Sequence, residues 1–234
     1  MNDKNAVRIQ NSVLNGLEKK ALVWLAGKQP RWIVSDHLTI VGIIGSVMIA
    51  AGFILSDRNI WWLWLSIAGF FVNWYGDSLD GTIARVRNTQ RPIYGYYLDH
   101  TVDVINEAFM FIGIGLSSLM RMDIALMIFI LYLCLTLNVS INAHLKREFK
   151  LTYGKMGPTE FRVIACILLL VIMYVRPIRE FHTSVHIFGR DLAAGSLDIA
   201  GLVIMAVLTV IYINTVIKDA RGYSEMDPLP GKKD

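Results

Sequence analysis

Four aspartates in two closely spaced pairs are the residues of this sequence best suited to do chemistry. Asp77 and Asp80 are three residues apart, and Asp99 and Asp103 are four residues apart. At these spacings both side chains of a pair project from one face of an α-helix. Two such faces brought together would form a concentrated negative site that needs cations. Carboxylate oxygens are hard ligands, and no cluster of His or Cys offers a zinc site, so the pattern predicts Mg²⁺ or Mn²⁺.

The segment between the two pairs predicts a surface that a ligand can approach closely. Gly81 and Ala84 lack bulk, so a flat ligand such as a nucleotide would reach the helix backbone there. Gly95, just before the predicted helix of the second pair, suits the same role, although a loop glycine is also an ordinary turn residue. The structural alternative for the aspartates is ion pairing between helices. The nearby arginines of the loop 85–91 are too loop-bound to neutralise all four.

The elements that must position these aspartates are predicted to be membrane-spanning helices. Hydrophobic residues make up 54% of the 234 residues and charged residues only 18%, which is more apolar than a usual soluble domain. The basic residues are spread over loops, which argues against a nucleic-acid-binding face. Cys134 and Cys166 fall in apolar runs, where a thiol usually behaves as a small apolar group, so they do not indicate the redox state of the compartment. The first 30 residues lack a signal-peptide pattern, so we expect an uncleaved N-terminus.

Six apolar stretches approach the roughly 20 residues that a helix needs to cross a bilayer. They are 38–56, 59–81, 99–120, 122–145, 160–177 and 196–217. Of the 23 Lys and Arg residues, 18 fall on the side of the termini and of the second and fourth loops. Because cytoplasmic loops are enriched in these residues, both termini and both aspartate pairs are predicted to be cytoplasmic. The sequence thus predicts an all-α integral membrane protein with six transmembrane helices.

A further helix is predicted before the first span. Apolar residues recur at helical spacing within 7–25, with Glu18 and several lysines between them. This pattern predicts an amphipathic helix on the membrane surface, the alternative being an ordinary solvated helix. Pro30 and Trp32 suit the turn into the bilayer. We expect a single domain over 1–234, with the helix and turn at 1–33, the bundle at 38–217 and a cytoplasmic tail at 218–234.

The aspartate motif resembles the signature of the CDP-alcohol phosphotransferase family, whose pattern is DxxDGxxAR, a spacer and GxxxDxxxD. The spacer here, 86–94, is one residue longer than the usual eight, in a predicted loop where insertions are tolerated. Eight specified positions match: Asp77, Asp80, Gly81, Ala84, Arg85, Gly95, Asp99 and Asp103.

The resemblance implies an enzyme of phospholipid synthesis that acts at the cytoplasmic side of its membrane, the inner membrane in a bacterium. An acceptor hydroxyl would attack the phosphorus of a CDP-alcohol such as CDP-diacylglycerol and release CMP. Asp77, Asp80 and Asp99 would be the principal ligands of a two-metal site, and Asp103 would be a further ligand and the general base. A homodimer within the membrane is implied as well.

The resemblance also implies a nucleotide pocket. Gly81, Ala84 and Gly95 would bound the cytidine site. Arg85 would reach a phosphate or one of the carboxylates. Thr39, in the polar entry to the first span, would line the pocket.

Two other functions remain open at the level of the sequence. Intramembrane prenyltransferases also hold magnesium diphosphate with aspartate-rich helices, but their motifs lack the GxxAR continuation. A transporter with carboxylate relays would predict internal repeats or paired broken spans, and neither is visible.

The acceptor alcohol is not determined by the motif. Family members that make phosphatidylglycerophosphate or inositol lipids tend to carry Lys or Arg where this chain has Val104. Aminoalcohol phosphotransferases often show an Asp-His pair, as Asp99 and His100 do here. By its angle around the helix, His100 is predicted to pack rather than to bind a ligand. Glu107 either orients a ligand or is a buried protonated acid.

Basic residues after the fourth span are candidates for holding a phosphate on a substrate. Positive-inside bias alone accounts for several of them. Arg162, at the start of the fifth span, is the one expected to face the bundle and grip phosphate. The set comprises Lys146, Arg147, Lys150, Lys155 and Arg162.

Overall fold

The structure is a computed structural model that describes residues 7–9, 15–146, 148–150, 157–187 and 190–229. It is built almost entirely of helices, which confirms the all-α class. The helices are α1 (Asn15–Lys28), α2 (Ser35–Ser56), a short 3₁₀ turn (Ile60–Trp62), α3 (Leu63–Val86), α4 (Pro92–Gly115), α5 (Met122–Lys146), α6 (Pro158–Tyr174), α7 (Arg176–Arg179) and α8 (Ser196–Met226).

Four short strands accompany the helices and were not predicted; the first of them corrects the helical pattern expected from residue 7 onward. β1 (Val7–Ile9) pairs in parallel with β2 (Glu148–Lys150). β3 (His182–Ile187) and β4 (Arg190–Gly195) form an antiparallel hairpin before α8.

Each of the six predicted stretches overlaps one helix. Among the described residues, three of these helices are long and apolar enough to cross a bilayer, namely α2, α5 and α8. The helices α3 and α4 carry the aspartates and other polar side chains, which lower their mean hydropathy. The helix α6 has 17 residues and is therefore short. An integral membrane protein follows from the three apolar helices, while the six-span topology stays a prediction.

Several predicted boundaries were wrong by part of a turn or more. The helix α3 begins at Leu63 because Asn59, whose Oδ1 accepts the backbone N–H of Trp61, caps a separate 3₁₀ turn. The helix α4 begins at Pro92, because proline suits a first helical position. It includes Gly95, which was expected in a loop. The predicted tail is helical through Met226, where α8 ends.

The helices α2 and α3 pack with their backbones in contact, and this packing sets the position of the aspartates. A Cβ atom on Gly69 would lie 2.7 Å from the carbonyl oxygen of Gly45, and one on Gly76 would clash with the backbone of Gly42. Small residues permit such an approach between helices in a membrane. The helix α4 joins this pair, and there a Cβ atom on Gly113 would lie 2.7 Å from the Cβ of Ala50.

The helix α1 is attached to the bundle through both apolar and polar contacts. Leu22 and Ala26 are buried with Leu79 and Ile83 of α3. The Glu18 carboxylate, predicted for the polar face of a surface helix, instead turns toward the bundle. Its Oε1 accepts hydrogen bonds at 2.8 Å from the indole of Trp74 and at 2.6 Å from the Thr159 hydroxyl. A carboxylate facing these donors exchanges hydration for hydrogen bonds, which the helical pattern alone cannot reveal.

Candidate metal and substrate site

Three of the four aspartates converge from two helices. Asp77 lies on α3, Asp99 and Asp103 lie on α4, and a carboxylate oxygen from each lies within 4.8 Å of the other two. The Asp99 side chain is exposed and the other two are half-buried. Three hard, anionic oxygen donors at this separation fit a divalent cation such as Mg²⁺ or Mn²⁺. The predicted meeting of the two aspartate faces is thereby seen for these three residues.

Asp80 lies in the same cleft but outside the group of three. The cleft is lined by Thr39, Gly42, Asp77, Asp80, Asp99, Val102, Asp103 and Asn106. The Asp80 Oδ2 accepts a hydrogen bond from the Thr39 hydroxyl at 2.8 Å, and its Oδ1 accepts the backbone N–H of Gly81. Thr39 therefore lines the same cleft as the aspartates, with its hydroxyl directed at Asp80, and its role in a nucleotide pocket stays a prediction.

Arg162 of α6 supplies the cation that the sequence analysis did not place near the aspartates. Its guanidinium donates to Asp77 Oδ2 at 2.6 Å and, through Nε, to Asn73 Oδ1 at 3.1 Å. Arg162 faces the bundle as expected, but it is an ion-pair partner of Asp77. Its predicted contact with a substrate phosphate stays a prediction.

A buried line of hydrogen bonds runs below the aspartates and joins four helices. We call it the polar ladder; it comprises Arg162, Asn73, Ser46 and Asn106. The amide nitrogen of Asn73 donates to the Gly42 carbonyl at 3.1 Å and to Ser46 Oγ at 3.0 Å. The Ser46 hydroxyl lies 2.9 Å from Asn106 Oδ1 and donates to it. Asn73 is 0% exposed and Asn106 is 5% exposed. Buried polar groups of this kind are favourable only when their hydrogen bonds are satisfied, as most are here.

The sequence analysis missed the polar ladder, although a signal for it exists. Asn73 precedes Asp77 by four residues and Asn106 follows Asp103 by three, so each asparagine extends an aspartate face by one turn. An amide in an otherwise apolar span is costly unless it is paired.

Unlike Thr39, the other residues predicted to surround a nucleotide are not among those that line the cleft; they are Gly81, Ala84, Arg85 and Gly95. A Cβ atom on Gly81 would lie 3.3 Å from a terminal nitrogen of Arg85, so the guanidinium lies alongside this glycine. Arg85 also donates to the Thr82 hydroxyl at 3.0 Å. Ala84 is half-buried one turn from Gly81, and Gly95 is exposed, with no described atom within 4 Å of where its Cβ would be. The nucleotide roles of these residues stay predictions.

The remaining candidates have mixed outcomes. The ring of His100 packs on Tyr96, with 4.1 Å between the centroids, in agreement with a packing role. Glu107 is half-buried, and its Oε2 is buried without a hydrogen-bond partner among the residues that the structure describes. The other basic candidates lie outside the described side chains: Lys146, Arg147, Lys150 and Lys155.

The amino-acid sequence matches a protein family and two known relatives. The family model described as CDP-alcohol phosphatidyltransferase matches residues 32–217. Cholinephosphotransferase 1 of Gallus gallus is 25% identical over 175 residues, which cover 72% of this chain and 52% of the relative. Archaetidylinositol phosphate synthase of Pyrococcus horikoshii is 29% identical over 92 residues, which cover 39% of this chain and 46% of the relative. The matches thus span about half the length of these relatives.

Proposed function

The chain belongs to the CDP-alcohol phosphatidyltransferase family, and from this premise we propose that it transfers a phosphoalcohol group from a CDP-alcohol to an acceptor hydroxyl. The products would be a phosphodiester and CMP, in phospholipid synthesis. The observation that carries the proposal is the meeting of Asp77, Asp99 and Asp103 within 4.8 Å, beside Asp80 in one cleft. Neither a prenyltransferase nor a transporter is favoured by the family match.

The aspartates would hold one or two divalent cations, Mg²⁺ or Mn²⁺, with Asp77 and Asp99 as principal ligands, Asp80 as a ligand at the edge of the site and Asp103 as a further ligand. Bound there, the cations would offset the charge of the diphosphate and of the leaving CMP. Thr39 would keep the Asp80 carboxylate oriented through its 2.8 Å hydrogen bond. Arg162 would fix Asp77 from the opposite side, so that two of the carboxylates are held before substrate arrives.

Asp103 is proposed as the general base. The acceptor oxygen would form a bond to the phosphorus that carries the alcohol, and the bond from that phosphorus to the oxygen of CMP would break. The hydroxyl proton would pass to a carboxylate oxygen of Asp103, which lies on the same face of α4 as Asp99. The cytidine would lie against Gly81 and Ala84, with Arg85 near its phosphates.

A six-span arrangement with both termini and the site on the cytoplasmic side is proposed for the bundle. It is supported by the distribution of Lys and Arg. The outward-facing apolar side chains also support it, for example Phe71 of α3, which is 66% exposed. Introduced cysteines at Arg58 and Arg91, probed with an impermeant thiol reagent in intact cells, would test it. Labelling of Arg91→Cys from outside would refute the orientation.

A homodimer in the membrane is proposed from the family resemblance alone. Cross-linking in native membranes, followed by native mass spectrometry, would test it. A monomer at every detergent concentration would contradict it.

The activity is tested by CMP release from the purified chain in liposomes. CDP-diacylglycerol would be offered with glycerol 3-phosphate, myo-inositol 1-phosphate or serine, and CDP-choline would be offered with diacylglycerol. We expect CMP release with at least one pair, dependent on Mg²⁺ or Mn²⁺ and abolished by EDTA. Release from no pair, by protein that Mg²⁺ and CMP do not stabilise against heat, would refute the function.

A further inference from the structure

The polar ladder has a defined donor direction, which starts at Arg162. A guanidinium only donates, so Asn73 must present its carbonyl oxygen to Arg162 and turn its amide nitrogen toward Gly42 and Ser46. Ser46 then accepts from Asn73 and has one proton to give. Two acceptors are within reach of this proton. Asn106 Oδ1 at 2.9 Å is nearer than the Gly42 carbonyl oxygen at 3.3 Å, which already accepts from Asn73, so the proton is assigned to Asn106.

This direction fixes the orientation of the Asn106 amide. Its oxygen is held by Ser46, so its nitrogen, with two N–H donors, is the end of the amide that remains for the cleft that Asn106 lines. Within the described part of the chain, no hydrogen bond from this nitrogen is found. The side chain is 5% exposed, so its position is set by the surrounding helices and not by solvent.

The cleft otherwise lacks side-chain donors among the residues described. Four of its lining side chains are aspartates, which accept hydrogen bonds when ionised. The hydroxyl of Thr39 is directed to Asp80 and to the Ser35 carbonyl. Val102 is apolar and Gly42 has no side chain. Among the lining residues that the structure describes, Asn106 is therefore the neutral side chain with donors left for an oxygen atom of a substrate that enters this cleft.

We propose that Asn106 orients the acceptor alcohol by donating a hydrogen bond to the hydroxyl oxygen that attacks phosphorus. The inference rests on the proposed function and names a residue for it. Asn106 lies one helical turn from Asp103, so the same hydroxyl can receive a bond at oxygen and give its proton to the carboxylate. Asn106 keeps its own protons throughout. Ser46 and Asn73 are positioning residues, which act by holding the amide in this orientation.

The test compares Asn106→Leu, Asn106→Ala and Ser46→Ala with wild type, using the donor and acceptor pair that gives turnover in the CMP-release assay. Both Asn106 substitutions remove the N–H donors, and neither places a further carboxyl group among the aspartates. Both Asn106 variants should lose about 100-fold in kcat/KM for the acceptor, as expected for removal of one preorganised donor. Ser46→Ala should lose about 10-fold, because the amide is present but no longer held. Heat stabilisation by CMP with Mg²⁺ should be unchanged in all three.

A matched control is Ser66→Ala, which removes another fully buried serine hydroxyl, here between α3 and α2. The Ser66 hydroxyl donates to the Ile49 carbonyl at 2.9 Å, away from the cleft. It should leave the acceptor KM unchanged. A kcat/KM within about threefold of wild type in either Asn106 variant would overturn the proposal. Parallel loss of CMP stabilisation would overturn it too, because Asn106 would then support the nucleotide or metal site. Absence of turnover in the wild type, with no stabilisation of the protein by Mg²⁺ and CMP, would instead refute the proposed function itself.

Discussion

The ion pair between Arg162 and Asp77 predicts a strong coupling between α6 and the metal site. The two side chains are only 14% and 22% exposed and meet at 2.6 Å. Two unit charges about 4 Å apart attract by about 4 kcal/mol at an effective dielectric constant near 20. Removal of one partner from a buried pair costs about 3–5 kcal/mol, since the other charge is left uncompensated. Partial exposure favours the lower end, about 3 kcal/mol for Arg162→Gln.

The assay is thermal unfolding in a mild detergent without added metal. For a chain of this length, about 3 kcal/mol corresponds to a fall in Tm of roughly 6–12 °C. Asp77→Asn together with Arg162→Gln should recover much of this loss, giving a coupling energy of about 2–3 kcal/mol in the double-mutant cycle. Added Mg²⁺ should raise the Tm of Arg162→Gln more than that of wild type, because the cation replaces the missing positive charge at Asp77.

Arg121→Gln is a control with the same contact distance. Arg121 and Asp123 also meet at 2.6 Å, but their side chains are 30% and 60% exposed. Exposed pairs contribute about 0–1 kcal/mol, so this variant should shift Tm by little. If Arg162→Gln shifted Tm no more than Arg121→Gln, or if the coupling energy were below about 0.5 kcal/mol, Arg162 would not be the counter-ion of Asp77.

Three more predictions concern the site and its scaffold. Substitution of Asp77, Asp80 or Asp99 by asparagine should abolish transfer, measured by CMP release, and weaken Mg²⁺-dependent nucleotide binding, measured by calorimetry. Normal activity in two of these three variants would exclude the metal site. Asp103→Asn should lose turnover but bind CDP-alcohol nearly as wild type does; a complete loss of binding would make Asp103 a main ligand. Gly76→Ala should lower the Tm, because the added methyl group overpacks against Gly42 at a cost of about 1–3 kcal/mol or more. Gly95→Ala should fold normally, so a loss of nucleotide affinity in this variant would indicate that the ligand approaches the backbone closely at Gly95.

Local spacing was sufficient to predict the aspartate faces. The intervals of three and four residues within each pair fix the side-chain directions once a helix forms, and the short loop between α3 and α4 brings both pairs to one end of the bundle. These are short-range properties, so the sequence carries them directly.

The partners of these aspartates were not predictable in the same way. Arg162 follows Asp77 by many residues and reaches it only because α6 packs against α3. The turn of Glu18 toward the bundle likewise depends on where Trp74 and Thr159 lie in space. Helical periodicity gives the direction of a side chain around its own axis, but it does not identify the neighbour that the side chain meets.

The predicted helix boundaries at α4 and α8 were wrong for reasons that the structure shows. The predicted span begins later than the helix at α4, because Pro92 starts the helix and its first turn, with Gly95, is exposed. At α8 the apolar pattern ends before the helix does. There Asn142 of α5 donates to Asp219 and accepts from Tyr223, which stabilises two further turns.

Backbone contact along α2 and α3 makes these two helices a single rigid body. Gly45, Gly69 and Gly76 let the chains touch, and parting them would forfeit many dispersion contacts at once. Asp77 and Asp80 move with that body. Asp99 and Asp103 are carried by α4, whose close approach to α2 is at Gly113, near the other end of the helix. A swing of α4 about a pivot near Gly113 that widens the cleft for a lipid would separate Asp99 and Asp103 from Asp77, and it would have to break the hydrogen bond between Ser46 and Asn106 that ties α4 to α2.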